Sequence, residues 1–328
     1  MRALRCNEYG SVAGLVVEDL PDPLPGVDEV VVDIAAAAVN FPDVLLIADQ
    51  YQIHVDVPFT PGSEFAGTVR AVGAGASGVA VGDRVVGAAM VGAFAEQIAV
   101  PASSLRALEP TVDLRLAAAF GVGHRTAYLA LRTVAGTVPG DWVVVLGAAG
   151  GVGLAAVELA HVLGGRVLAA ASSEEKLAVC RQKGAEATVN YQTEDLKERI
   201  KQITAGGADV VIDPVGGPWA EQALRAMRWG GRFVTVGFAS GEIPRIPLNL
   251  VLLKGPVVTG FTIEGVTRNR RHEVAAHDAE LWELLATGKV VPHVGAVFPL
   301  AEGARALDEL AARRATGKVL VVPENNGR

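Results

Sequence analysis

Residues 142–153 read WVVVLGAAGGVG, an apolar run that enters a glycine turn and then a helical pattern. The run 142–146 shows no polar alternation, which fits a strand covered on both faces in a parallel sheet. Gly150 and Gly151 are expected to let the backbone turn tightly against a ligand, because no Cβ stands in the way. Gly153 is expected to let a helix over 153–163 pack close to the strand. Free N–H groups and the positive helix end then face whatever sits at the turn, and a pyrophosphate suits them. Ala148 stands where the first glycine of the dinucleotide fingerprint usually lies. A tight turn without a ligand is the alternative, but the setting within alternating strands and helices favours a dinucleotide. Ala149, Gly150, Gly151 and Val152 are therefore candidate cofactor contacts.

At 328 residues the chain is long enough for roughly two domains of ~150 residues. Half of it is hydrophobic and only 5% aromatic, with 38 glycines, which suits stacked parallel strands and helices. The net charge is −7 with no basic block, so the electrostatic footprint of nucleic-acid binding is missing. Cys6 and Cys180 are too few for a disulfide framework or a structural zinc lobe. The opening MRALRCNEYG lacks the apolar core of a signal peptide. The apolar stretch 142–157 is glycine-broken and shorter than the ~20 residues of a membrane-spanning helix. A soluble, cytoplasmic protein is expected.

The pattern changes near residue 120. Before it, short β segments (30–35, 67–72, 84–86, 95–100) alternate with breaker-rich stretches such as PDPLPG and AVGAGASG. That reads as a mostly antiparallel β domain. Beyond it, a helix over 117–134 leads into strands at 142–146, 166–171, 187–189, 209–212 and 232–236. Helices at 153–163, 174–183, 194–204 and 219–227 separate them, and an apolar run follows at 256–261. Such alternation argues for βαβ units on a parallel sheet. The tail, with helices at 271–287 and 301–313 and a strand at 318–322, is expected to complete the first domain. The expected division is 1–120 with 265–328 around an inserted nucleotide-binding domain, 121–264. The fold class is α/β.

A dinucleotide fold usually carries Asp or Glu at the end of its second strand to grip the ribose 2′-OH. Here that strand ends at Ala171, followed by Ser172, Ser173 and, a helical turn later, Lys176. These offer hydroxyls, a helix start and an ammonium to a 2′-phosphate, and Tyr191 could close the same side. NADP(H) is favoured over NAD(H). Against this, Ser173 could merely cap the next helix, with Glu174 and Glu175 complementing its dipole and Lys176 solvated.

Taken together, VNFPD (39–43), PGSEFAG (61–67), VGDRV (81–85), AFAEQ (93–97), TAYLAL (126–131), GAAGGVG (147–153), DPVGG (213–217), GGRFVTVGFASG (230–241) and GKVLVV (317–322) span nearly the whole chain. In these motifs the chain resembles the zinc-independent quinone oxidoreductase branch of the medium-chain dehydrogenase/reductase superfamily. The resemblance implies a GroES-like β-rich domain, an inserted Rossmann doubly wound parallel sheet, NADPH as cofactor and a homodimer. It implies that Asn40 and Asp43 line the nicotinamide side and that Tyr51 reaches a small-molecule substrate. Thr126 and Lys318 are implied near the cofactor, and Ser172, Lys176 and Tyr191 around the 2′-phosphate. Within the same motifs and the segment GFTIEG (260–265), Val215, Gly237, Phe238, Phe261 and Ile263 complete the expected cofactor set.

Zinc members of the superfamily read GHE where this chain reads Gly62-Ser63-Glu64, and carry a metal-binding Cys near the position of Asn40. Catalytic zinc takes about three protein ligands, and that set cannot be assembled here. RHEVAAH (271–277) is one residue longer than the zinc protease signature, which puts His272 and His277 about 140° apart on a helix. A solvated helix face is expected there. Without a Lewis acid the substrate must accept hydride readily, as quinones and α,β-unsaturated carbonyls do. Tyr51 is the candidate donor to the acceptor oxygen, with Asn40 and Asp43 as positioning groups. Plainer readings stand beside these: Asn40 and Asp43 shaping a turn, Tyr51 as packing, Lys318 as an edge-strand solubility residue, His54 as a surface histidine. Arg125 either pairs with a carboxylate or recognises an acidic substrate. Quinone reduction competes with enone or enoyl-thioester reduction, and with a non-catalytic NADPH-binding role.

Overall fold

Five consecutive large apolar residues can form a stable strand only where both sheet faces are covered. Trp142–Leu146 is buried along its whole length in the computed structural model, which describes residues 1–324. The chain divides into two compact units, Met1–Val122 with the segment from Pro292 onward, and Gly123–Val291.

In the second unit six parallel strands form one sheet, in the order Ala187–Asn190, Arg166–Ala171, Trp142–Leu146, Ala208–Asp213, Met227–Thr235, Val257–Gly260. The chain therefore runs outward one way, returns to the middle and runs outward the other way, the order of a dinucleotide-binding sheet. The order reverses at Trp142–Leu146. Helices Gly151–Val162, Glu174–Gln182, Leu196–Thr204 and Pro218–Arg225 supply the crossovers, close to the expected spans.

The expected boundary at 265 does not hold. Helices Ile263–Asn269 and Arg271–Ala286 belong to the second unit, where Val266 and Val274 pack on Leu129. Side-chain bonds from Arg125 to Asp278 and from Tyr128 to Glu280 add to that contact. An amphipathic pattern announces a helix but does not name its partner. The expected helix over 117–134 is α-helical only through Leu114–Tyr128 and continues as a π-helical stretch, Leu129–Val134.

The first unit centres on the ten-residue strand Glu29–Ala38. It pairs antiparallel with Glu64–Val72, with Gln97–Pro101 and with Lys318–Val322. Arg84–Ala88 and Leu105–Ala107 extend the sheet on one side, and Val294–Pro299 lies parallel to Lys318–Val322 on the other. The core joins Phe65, Phe94, Val30, Val32, Leu320 and Val321 from both ends of the chain, so the segment from Pro292 onward, without the helix expected at 271–287, completes this unit. Phe41–Ile47 is a short helix where the sequence suggested only a turn. Among the described residues no helix is long and apolar enough to cross a membrane.

Candidate functional site

The carboxyl ends of the central parallel strands gather most of the expected nucleotide-binding residues. Leu146 leads into the glycine turn, Asp213 into Val215, and Thr235 into Gly237 and Phe238. The left-handed residue of the turn is Gly147, at φ 55°, whereas Gly150 has φ −76°, open to any residue. A Cβ on Gly147 would also lie 2.5 Å from Val215 Cγ2. The helix opens at Gly151, two residues earlier than expected, so its first amides have no partner within the helix and are free to face an anion.

Gly153 serves the expected close approach: a Cβ there would sit 2.2 Å from the Gly147 carbonyl oxygen and 2.9 Å from Ala148 Cα. Both are backbone and cannot rotate away. Gly153→Ala is therefore expected to cost about 1–3 kcal/mol, as overpacking does. Gly150→Ala, whose Cβ would stand 3.4 Å from the nearest atom, is expected to be near neutral. Urea unfolding of the two variants checks the contrast.

Asp213 fixes the neighbouring loop. It is fully buried, its Oδ1 accepts the N–H groups of Val215 and Gly216 at 2.8 Å each, and burial raises its pKa. Loop 213–217 is in turn laced to 237–242, with Ala239 N–H donating to Pro214 O and Ser240 N–H to Val215 O. Thus Val215, Gly237 and Phe238 come together beside the turn. Thr126 is buried on its helix, and Phe261 and Ile263 are half-buried against Leu129 and Val266.

At the end of the second strand, Ser173 caps the following helix, its Oγ accepting the Lys176 N–H at 3.4 Å. The plainer reading of Ser173 therefore holds, and it leaves a phosphate role open. Lys176 is half-buried, and burial lowers its pKa below the usual lysine range. A phosphate dianion would reverse that direction. Tyr191 follows the third strand and stacks on Trp219 at 4.6 Å, tilted by 43°. Sequence reasoning missed Trp219; its signal was an aromatic residue directly after DPVGGP.

The first unit holds a buried polar cluster where three adjacent strands begin or end. Lys318 Nζ donates to Glu64 Oε1 at 2.6 Å, Asn40 Oδ1 at 2.7 Å and Val39 O at 3.2 Å, which uses all three ammonium protons. Asn40 Nδ2 donates to the same Glu64 Oε1 at 2.8 Å, and the Val122 N–H donates to Oε2 at 2.6 Å. Lys318 and Glu64 are 4% and 1% exposed, so Lys318 is no surface solubility residue. Glu64 was noted only for its place beside Ser63; its charge, three residues before a buried glycine strand position, was the signal for a partner.

Asp43 lies on Phe41–Ile47 and accepts the Asn40 N–H on Oδ2 at 2.7 Å, so the turn-shaping role of both residues is real. Its Oδ1 is buried with no hydrogen-bond partner among the described residues. Burial pushes the Asp43 pKa up to about 7, against the Asn40 amide, the Ser63 hydroxyl and the Lys318 charge, which pull it down. Tyr51 stands apart from this cluster, in the irregular segment after the helix, half-buried against the first unit's core.

These residues do not fit a zinc ion. Among the described residues no group of three His, Cys, Asp or Glu side chains is arranged to hold a metal ion, and the space beside Asn40 and Glu64 holds the Lys318 ammonium. His277, in the protease-like stretch, shares a 2.7 Å hydrogen bond with Thr133. Arg125 forms two bonds, of 2.8 and 2.9 Å, with Asp278, so its carboxylate partner is internal.

A β-rich unit with a buried ammonium–carboxylate pair and a second unit built on a doubly wound sheet with a glycine turn at its switch point define a two-domain dehydrogenase architecture. Residues 26–110 match the alcohol dehydrogenase GroES-like domain, and residues 151–280 match the zinc-binding dehydrogenase family. The quinone oxidoreductase-like protein 2 of Bos taurus is 39% identical over 98% of this chain and 92% of its own. The crystal structure of Escherichia coli quinone oxidoreductase complexed with NADPH superposes with a TM-score of 0.89 at 28% identity, over 98% of this chain and all of that one. A mycobacterial protein complexed with NADPH gives 0.89 at 31% identity over the same shares. The chain belongs to the quinone oxidoreductase branch of the medium-chain dehydrogenase/reductase superfamily. The GroES-like and Rossmann expectations are met in full.

Proposed function

We propose that this protein is an NADPH-dependent, zinc-free reductase that delivers hydride to a conjugated carbonyl acceptor, quinones foremost. The observation that carries the reading is the Lys318 ammonium, held by Glu64 and Asn40 where a metal would need its ligands. With that donor set no Lewis acid polarises the acceptor, so the acceptor must spread charge into its own conjugated oxygen. Bound NADPH supplies the hydride.

The amides of Gly151 and Val152, with Ala149 and Gly150, would hold the pyrophosphate. Ser172, Ser173, Lys176 and Tyr191 would hold the 2′-phosphate. Val215, Gly237, Phe238, Phe261, Ile263 and Thr126 would line the rest of the dinucleotide. Asn40, kept in one orientation by Lys318 and Glu64, would position the nicotinamide side, and Asp43 holds Asn40 through its backbone. The Tyr51 hydroxyl would donate to the acceptor oxygen as charge develops there.

Support for a homodimer comes from the outer strand Val257–Gly260. Among the described residues it leaves one edge of the sheet unpaired, and Val257 and Val258 are 56% and 41% exposed. A cytoplasmic setting accords with the free thiols of Cys6 and Cys180.

The test is NADPH oxidation against 1,4-benzoquinone, 9,10-phenanthrenequinone, an enone and crotonyl-CoA, with and without chelator. Chelator-insensitive turnover, fastest on a quinone, is the expected result. Preference for the enone or the thioester would move the acceptor class, and NADPH binding without turnover on any of them would overturn the reading. Tighter binding of NADPH than NADH is expected, and equal dissociation constants would remove the 2′-phosphate assignment.

A further inference from the structure

The segment that carries Tyr51 is tied together by groups the reaction does not consume. Helix Phe41–Ile47 ends at Ala48, and Asp49 then takes φ 52°, a left-handed conformation that aspartate tolerates better than most residues. His54 Nδ1 meets Asp49 Oδ1 at 2.8 Å, and its Nε2 meets Asp56 Oδ1 at 3.3 Å and the Tyr9 hydroxyl at 3.2 Å. The same Tyr9 hydroxyl donates to Val55 O at 2.8 Å, and the Gly10 N–H donates to Ile47 O at 2.8 Å. The Asp49–His54 contact therefore closes a short loop, residues 49–54, with Tyr51 inside it.

We propose that His54 is a positioning residue for Tyr51: as an imidazolium clamped between Asp49 and Asp56, it closes this loop and sets the tyrosine toward the acceptor. The inference rests on the reading of Tyr51 as the acceptor-facing residue. Two carboxylates against one imidazole favour the cation, and Tyr9 is left as donor to Val55 O. The groups that face His54 are Asp49 and Asp56 on its own segment and Tyr9 from the amino-terminal one. The bond to Asp49, foremost, raises the His54 pKa above its ordinary 6.5. The clamp is thus complete at low pH and is lost as pH rises through that raised value. His54 is 58% exposed, so the effect is that of a solvated pair rather than a buried one.

The experiment compares wild type, His54→Lys and His54→Gln by acceptor KM, kcat and NADPH Kd between pH 5.5 and 9. In wild type the acceptor KM is expected to rise about two- to fivefold across the His54 titration, the range of an exposed ion pair. The NADPH Kd stays unchanged. His54→Lys keeps a cation in place and holds the low KM throughout, whereas His54→Gln shows the high KM throughout. Asp43, whose carboxyl is raised to about 7 and so titrates within the pH range scanned, is common to all three and cancels in their ratios. A wild-type KM profile in His54→Gln overturns the inference.

Tyrosine-ring NMR on the same proteins provides an independent readout. Tyr51 resonances that follow the His54 titration in wild type, and are flat in His54→Lys, support the clamp. Resonances indifferent to His54 overturn it, even if no acceptor in the panel turns over. Absence of turnover alone would count against the reductase reading and leave this measurement to decide the clamp.

Discussion

Lys318→Met is expected to destabilise the protein by about 3–5 kcal/mol, because it leaves the Glu64 carboxylate buried without its counter-charge. The pair is almost wholly withdrawn from water, and the ammonium has three acceptors. The double change Lys318→Met with Glu64→Gln is expected to recover a large part of the loss, since no ion is then stranded. Urea unfolding of the two single variants and the double variant yields the coupling directly. A cost for Lys318→Met below about 1 kcal/mol would mean that the pair behaves as a solvated one, contrary to its burial. Turnover of the proposed conjugated acceptor is expected to fall in parallel, because Asn40 loses the contact that holds its amide in one orientation.

At pH 8, Asp43→Asn is expected to be more stable than wild type. Burial raises this carboxyl from an ordinary 3.8 to about 7. Between those values the folded protein keeps a proton that the unfolded chain has released, so stability falls as pH rises across the window and levels off above about 7. At ~1.36 kcal/mol per unit the full penalty at pH 8 is about 4 kcal/mol. Asparagine carries none of it, and its amide oxygen can still accept the Asn40 N–H. Near pH 4 the two proteins should have the same urea midpoint, and they should diverge as pH rises. A variant that keeps the wild-type slope would assign the pH dependence elsewhere.

The nucleotide-binding unit was the more legible of the two, for reasons visible in particular residues. Its two central strands are fully buried, so WVVVL and the VVI of ADVVID are apolar runs, and glycines and short polar stretches bracket them. The bounds of Trp142–Leu146, Arg166–Ala171 and Lys318–Val322 came out as expected. Helix Phe41–Ile47 was not legible because Pro42 masks it; the Asn40–Asp43 pair that starts it is equally at home in a turn. The division of roles among the turn glycines was not legible either. Several glycines in one stretch leave their division of labour open, and only the backbone shows that Gly147 takes the positive φ while Gly153 takes the close contact.

The candidate site divides in the same way. Local order along the chain determined what lies within a few residues: the glycine turn, the serines and Lys176 after the second strand, and the pairing of Asn40 with Asp43. Such features depend on neighbours in sequence, which hydrogen-bonding geometry and helix ends read directly. Tertiary structure alone decided that Lys318 meets Glu64 and Asn40 across more than 250 positions, that Asp278 occupies Arg125, and that 263–286 joins the second unit. A lysine, a glutamate or an amphipathic helix is compatible with many partners. Which one it finds is set when burial removes water and leaves each charge only the groups that the folded backbone brings within reach.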